Sequence, residues 1–163
     1  MAKGALNLDT VEDLPLEYCD YKTKVKNYLN LKWQRSWDRI NDPPNNPTKL
    51  YQIKPVLQDW SSSNRRCREE EIVLARLRLG TSLLNKKHLF TGDPFPTCTV
   101  CQTDLTMAHL LIECPRYNQE RNQIVHHLNK ERLHISLENI LNDHFPHDLL
   151  FNFLNNIEYI KKI

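Results

Sequence analysis

CTVCQTDLTMAHLLIECP, residues 98–115, sets three cysteines and one histidine in a C-x2-C-x7-H-x4-C array. Cys98, Cys101, His109 and Cys114 are the ligand types that zinc prefers, and they fall within seventeen residues. The two-residue spacer lets the sulfurs of Cys98 and Cys101 face one point from a tight turn. Thr106 reads as an N-cap, which places His109 in the first turn of a short helix running to about Glu113. Cys114 closes that helix. Pro115, with no amide hydrogen for an i−4 carbonyl, separates it from the next. Four protein ligands leave no open position for water or substrate, so the array predicts a structural Zn²⁺ site and not a hydrolytic one.

Two other readings of the cysteines compete. A redox CxxC needs its first cysteine at a helix N-terminus just after a strand. Here a turn-like Gln102-Thr103-Asp104-Leu105 follows, and no βαβ pattern surrounds it. Buried thiols acting as small hydrophobes would need neither the histidine nor the short spacing. A downstream His and Cys at this spacing favour zinc over both.

Upstream of the array, residues 65–79 read as a helix. Glu69, Glu70 and Glu71 suit its N-terminus, and Arg76 and Arg78 suit its C-terminus. Its apolar positions are Ile72, Val73, Ala75, Leu77 and Leu79. Gly80 fits a C′ residue, and Thr81 or Ser82 caps a third helix over residues 83–90. Between residues 65 and 90, Arg65, Arg66, Arg68, Arg76, Arg78, Lys86 and Lys87 face three acids, a local excess of four positive charges. A basic helix pair beside a zinc-pinned knuckle, reached through a Gly92-Asp93-Pro94 turn, makes a phosphate-binding surface. A solvated face partly neutralised by its own glutamates accounts for the same residues.

Downstream, a helix over residues 116–129 buries Tyr117, Ile124, Val125 and Leu128. Ser136 caps a short one holding Leu137, Ile140 and Leu141. Pro146 opens the last, with Leu149, Leu150, Phe153, Leu154, Ile157 and Ile160 inward. His126, His127, His134, His144 and His147 lack a consistent spacing and predict no second metal site.

Toward the N-terminus, Asp20 reads as the N-cap of a long helix to about Ile40. Tyr21, Val25, Tyr28, Leu29, Trp33, Trp37 and Ile40 recur at threes and fours, which predicts a core stripe rather than stacking platforms for bases. Lys22, Lys24, Lys26, Lys32, Arg35 and Arg39 decorate the remaining faces. Asn41-Asp42-Pro43 stops the helix. Residues 49–53 read as one short extended piece, and the Pro/Ser-rich connector 41–64 as a hinge between lobes. Asp9, Glu12, Asp13 and Glu17 sit in one loop-like stretch. That suits an acidic linker better than a two-metal site, which gathers acids from separate elements.

The whole chain has 163 residues, 22 Lys and Arg against 20 Asp and Glu, three glycines and five cysteines. That length allows one core or two small lobes. The balanced charge argues against a generic polycation. No apolar run approaches a membrane span, the first residues lack a secretory h-region, and Cys19 and Cys67 are isolated. A reducing compartment, nucleus or cytoplasm, and no membrane association are the expectations.

The order WQRSWD (residues 33–38), KLYQIKP (49–55), REEEIVLARLRLGTSLLNKKHLF (68–90) and PTCTVC…LTMAHLLIECPRY (96–117) resembles the C-terminal region of jockey-type non-LTR retrotransposon polyproteins. Those proteins carry an endonuclease, a reverse transcriptase and often an RNase H domain, after which this region lies. The opening AKGAL is similar to the end of RNase H. The similarity spans most of residues 2–120, with LRLG-T and the Cys/His array its more specific parts. The resemblance implies retroelement partners, template RNA or target DNA among them. The upstream carboxylates of RNase H and the aspartates of a polymerase have no counterpart in this sequence, so no enzyme activity is expected.

The expected fold is therefore mostly α, helical lobes with a small Cys3His zinc knuckle between helices. The expected divisions are 1–40 (RNase H-like stub, acidic linker and long helix), 41–64 (connector), 65–129 (basic helix pair and knuckle) and 130–163 (C-terminal helices). The leading function is a non-catalytic module contacting nucleic acid through the seven basic residues of 65–87, mainly at phosphates. The alternatives are a protein-interaction module docking on a reverse transcriptase or host factor, and a truncated fragment without activity of its own.

Overall fold

The computed structural model describes residues 18–163 apart from 44, 83–85 and 87; the acidic stretch and the AKGAL segment lie outside the described residues. The chain is mostly helical, and among the described residues the one β-type pairing is an isolated bridge between Thr97 and Asp104. The helices are α1 (Tyr18–Asn41), α2 (Lys49–Ile53), α3 (Arg68–Leu79), α4 (His88–Thr91), α5 (Asn118–Lys130), α6 (Leu137–Leu141) and α7 (His147–Asn156). A π-helical turn, His109–Glu113, precedes a 3₁₀ turn, Pro115–Tyr117.

Two compact units divide the chain, Met1–Arg39 and Ile40–Ile163. In the first, α1 holds itself by local contacts. Gln34 Nε2 donates to Asp38 Oδ1 at 2.7 Å one turn on, and Lys32 Nζ stands 4.9 Å from the centre of the Tyr28 ring. The expected core stripe is corrected here: Tyr21, Val25, Tyr28, Leu29 and Trp33 are exposed. Helical spacing shows which positions share a side, but burial needs a second surface. Among the described residues of that unit, no other element supplies one.

The second unit holds the core. Asn41 is buried, and its Oδ1 accepts from Thr48 N at 2.8 Å and Thr48 Oγ1 at 3.0 Å. Thr48 Oγ1 in turn accepts from Tyr51 N and caps α2. Residues 49–53, read as extended, are thus helical, because a capping oxygen and a buried Ile53 outweigh weak local preference. Two elements of the connector pack within this unit: α2 packs on α3 and α6, and the 3₁₀ turn Ser61–Ser63 packs on α3.

α3 begins at Arg68, three residues later than the sequence suggests, after an extended Cys67. It turns Val73, Leu74 and Leu77 inward and leaves Ile72 and Leu79 exposed. Gly80 ends it at φ +66°, with Thr81 N donating to Arg76 O at 2.9 Å, the left-handed stop that glycine tolerates. α5 packs along α7, and α7 against α6. Ile124, Leu128, Ile140, Leu150, Phe153 and Leu154 fill the space between them, each burial stabilising by about 1.5–3 kcal/mol. Met107, Leu110 and Leu111 enter the same core from the segment carrying His109, so apolar packing anchors that segment.

Candidate metal centre

The first two cysteines sit on a backbone reversal. Leu105 N donates to Pro96 O, Cys98 N to Thr103 O at 2.8 Å, and Gln102 N to Cys98 O at 2.9 Å. Gln102 takes φ +57°, a left-handed conformation that closes the turn and that few side chains favour. Thr106 behaves as the spacing predicts: its Oγ1 accepts from His109 N at 3.0 Å.

The helical segment then widens. Cys114 N donates to His109 O at 2.8 Å, five residues back instead of four. On a regular α-helix, residues five apart diverge by roughly 140° around the axis. An extra residue per turn brings them closer to one side, so the π-turn helps His109 and Cys114 converge. Nothing in the spacing signals that widening.

The four ligand atoms lie within 4.8 Å of one another. The sulfurs of Cys98 and Cys101 stand 3.8 and 3.9 Å from that of Cys114. Cys98, His109 and Cys114 are buried and Cys101 partly so. His109 Nδ1 lies 3.4 Å from Thr103 Oγ1 and 3.5 Å from Glu113 Oε2. Its Nε2 is buried with no hydrogen-bond partner. A ring with partners at Nδ1, an orphaned Nε2 and one nitrogen within 4.8 Å of the three sulfurs suits a ligating imidazole.

Backbone N–H groups of Cys101 and Val100 hold the Cys98 thiol down to about 6. Burial first, then the sulfurs of Cys114 and Cys98, push Cys101 up to about 11. A bound cation would offset the crowding of three sulfur ligands at one point. Cys98, Cys101, His109 and Cys114 could therefore hold a metal ion. Among the described residues no other group of three or more Cys, His, Asp or Glu side chains gathers in this way.

The basic residues fare differently. Arg65 bonds Glu70 at 3.2 Å and Asp148 at 2.5 Å and lies over Phe151. Arg76 donates to Ile163 O at 2.8 Å. Arg78 is only 4% exposed: Nε donates to Leu141 O, a terminal nitrogen to Ser62 Oγ, and the guanidinium lies 3.8 Å from the Trp60 ring centre. Burial draws its pKa down to about 10, opposed by Asp143. Arg78 is a structural cation in the core and not a surface group. Arg66 and Arg68 keep side chains 83% and 80% exposed, with Asp148 and Glu71 as their respective acidic neighbours. Lys86 is exposed, and Lys87 lies outside the described residues.

Two supporting groups escaped the sequence reading. Glu113, one turn after His109, was legible from spacing alone. Arg121, buried behind the π-turn, carried no signal. Compared with models of protein families, with curated proteins and with solved structures, the chain matches none.

Proposed function

We propose that the chain is a non-catalytic zinc-binding module of a retroelement protein, contacting template RNA or target DNA through a basic helical surface. The sulfur spacing carries the metal assignment. Zn–S bonds of about 2.3 Å in a tetrahedron put neighbouring sulfurs about 3.8 Å apart. Two of the separations here are 3.8 and 3.9 Å. Cys98, Cys101, His109 and Cys114 would hold the ion, which when bound supplies a closed tetrahedral anchor with no site for substrate. Such binding contributes on the order of 10 kcal/mol of folding free energy.

The retroelement assignment rests on the resemblance of the array and of the segments at 33–38, 49–55 and 68–90. Among the described residues, Arg66, Arg68 and Lys86 are the open cations of the basic stretch, suited to phosphates and not to base edges. Native mass spectrometry tests the first half: one zinc per chain is expected, and none in Cys101→Ser. Oligonucleotide titration at rising salt tests the second. Salt-insensitive or absent binding at low salt would reduce the surface to a solvated face.

A further inference from the structure

α1 carries six Lys and Arg against two carboxylates. At about 100° per residue, Lys22, Lys24, Lys26, Lys32, Arg35 and Arg39 all fall within about 200° of the helix circumference. Tyr21, Tyr28 and Trp33 fall within the same arc. The opposite side holds Thr23, Asn27, Asn30 and Gln34, and the two acids, Asp20 and Asp38. The three rings are open, Trp33 at 63%, Tyr21 at 60% and Tyr28 at 57%. Lys24, Lys26, Lys32, Arg35 and Arg39 are exposed beside them.

We propose that this face of α1 binds single-stranded nucleic acid, with phosphates on its cations and unstacked bases on Tyr21, Tyr28 and Trp33. The charge selects an anionic partner and disfavours a second copy of the same face. A helix lying in a lipid interface keeps an apolar arc clear of charge so that it can sink. Here Lys26 stands between Leu29 and Trp33 on one side and Asn30 on the other, and Lys32 stands between Tyr21 and Val25. Interleaved rings and cations suit a chain that alternates base and phosphate. Duplex bases, stacked about 3.4 Å apart, hide their faces. The rings stand about 10 Å and about 7 Å apart along the axis, so they reach only a splayed strand.

This inference takes its partner class from the proposed function but uses neither the metal centre nor Arg66 and Arg68. The test uses the zinc-loaded full chain, fluorescein-labelled oligo(dT) and a duplex of equal length, read by fluorescence anisotropy at low salt. Tyr28→Ala with Trp33→Ala should weaken oligo(dT) binding roughly ten-fold or more, leave the duplex little changed, and leave far-UV circular dichroism unaltered. Trp33→Phe should retain binding. Full retention by the ring variant, with loss only in Arg66→Gln/Arg68→Gln, would overturn this inference and leave the proposed function standing. Equal weakening of single strand and duplex would overturn the stacking role. So would phosphatidylserine vesicles displacing the oligonucleotide. Absence of any oligonucleotide binding would remove this inference and the nucleic-acid half of the proposed function.

Discussion

Arg121 Nε donates to the carbonyl oxygen of Leu111 at 2.7 Å, reaching from α5 into the π-turn that carries His109 and leads to Cys114. A terminal nitrogen reaches Cys114 O at 3.0 Å and Leu110 O at 3.3 Å, and the other reaches Asn118 Oδ1. Leu110 O and Leu111 O are carbonyls of the kind a helix end leaves without partners, and Cys114 O also accepts from Tyr117 N at 3.3 Å. One planar fork bonds all three backbone carbonyls and holds the backbone of Cys114.

Arg121→Met should therefore weaken the metal centre without touching a ligand. Orphaned buried carbonyls predict a stability loss on the order of 3 kcal/mol. A displaced Cys114 predicts roughly ten-fold weaker zinc binding. Arg121→Lys should recover little, since an ammonium cannot span the three acceptors. Urea denaturation and competition with a chromophoric chelator read the two effects. Wild-type zinc affinity in Arg121→Met would dismiss the positioning role.

Chelation should act on the second unit alone. A strong zinc chelator is expected to lower its melting temperature and to speed amide exchange across residues 97–117. Amides of α1 up to Arg39, which belong to the Met1–Arg39 unit, should exchange as before. Uniform loss of protection in both would show that the metal supports the whole chain.

His147 predicts an acid limb in the stability profile. Burial, then the charges of Arg78 and Arg65, hold its imidazole pKa down to about 4, while Asp143 works weakly the other way. Unfolded histidine takes a proton below about pH 6.5, and the native one only near pH 4. Stability is thus complete above about pH 6.5 and falls with pH to about 4, by up to about 1.4 kcal/mol per unit. His147→Gln should flatten that limb by close to one proton in urea-denaturation series. Parallel curves for the two proteins would contradict it.

Arg78 and Arg66 should separate stability from binding. Arg78→Met leaves Asp143 and the Leu141 carbonyl short of a partner and removes the stack on Trp60, so unfolding is expected to become easier by on the order of 3 kcal/mol. Arg66→Gln, exposed and weakly paired, should leave the melting temperature within a degree or two of wild type, roughly the effect of a surface change. Its consequence should appear only as a smaller salt slope in oligonucleotide binding. A large destabilisation by Arg66→Gln would mean that its pairing with Asp148 carries structural weight.

Local chemistry was readable from residue order. Thr106 and Ser136 cap where their spacing says, since a hydroxyl reaches only an amide two or three residues on. Gly80 and Pro115 stop helices for reasons internal to each residue. The four ligands were legible for a related reason: a short chain between them leaves few ways for the sulfurs and imidazole to lie except close together. The same logic failed for the stripe of α1, which no other described element of its unit covers, and for residues 49–53, which are capped by Thr48 and pack on α3 and α6.

Residue order alone determined the helical class, the main breaks and the Cys98, Cys101, His109 and Cys114 set, because each follows from interactions spanning a turn or two. Tertiary structure decided which cations remain in water. Arg78 meets Leu141 and Arg121 meets the π-turn, and a guanidinium enters a core only where distant elements bring carbonyls to it. It also decided that the rings of α1 face outward, since an amphipathic helix carries its pattern within itself but must borrow the surface that would cover it.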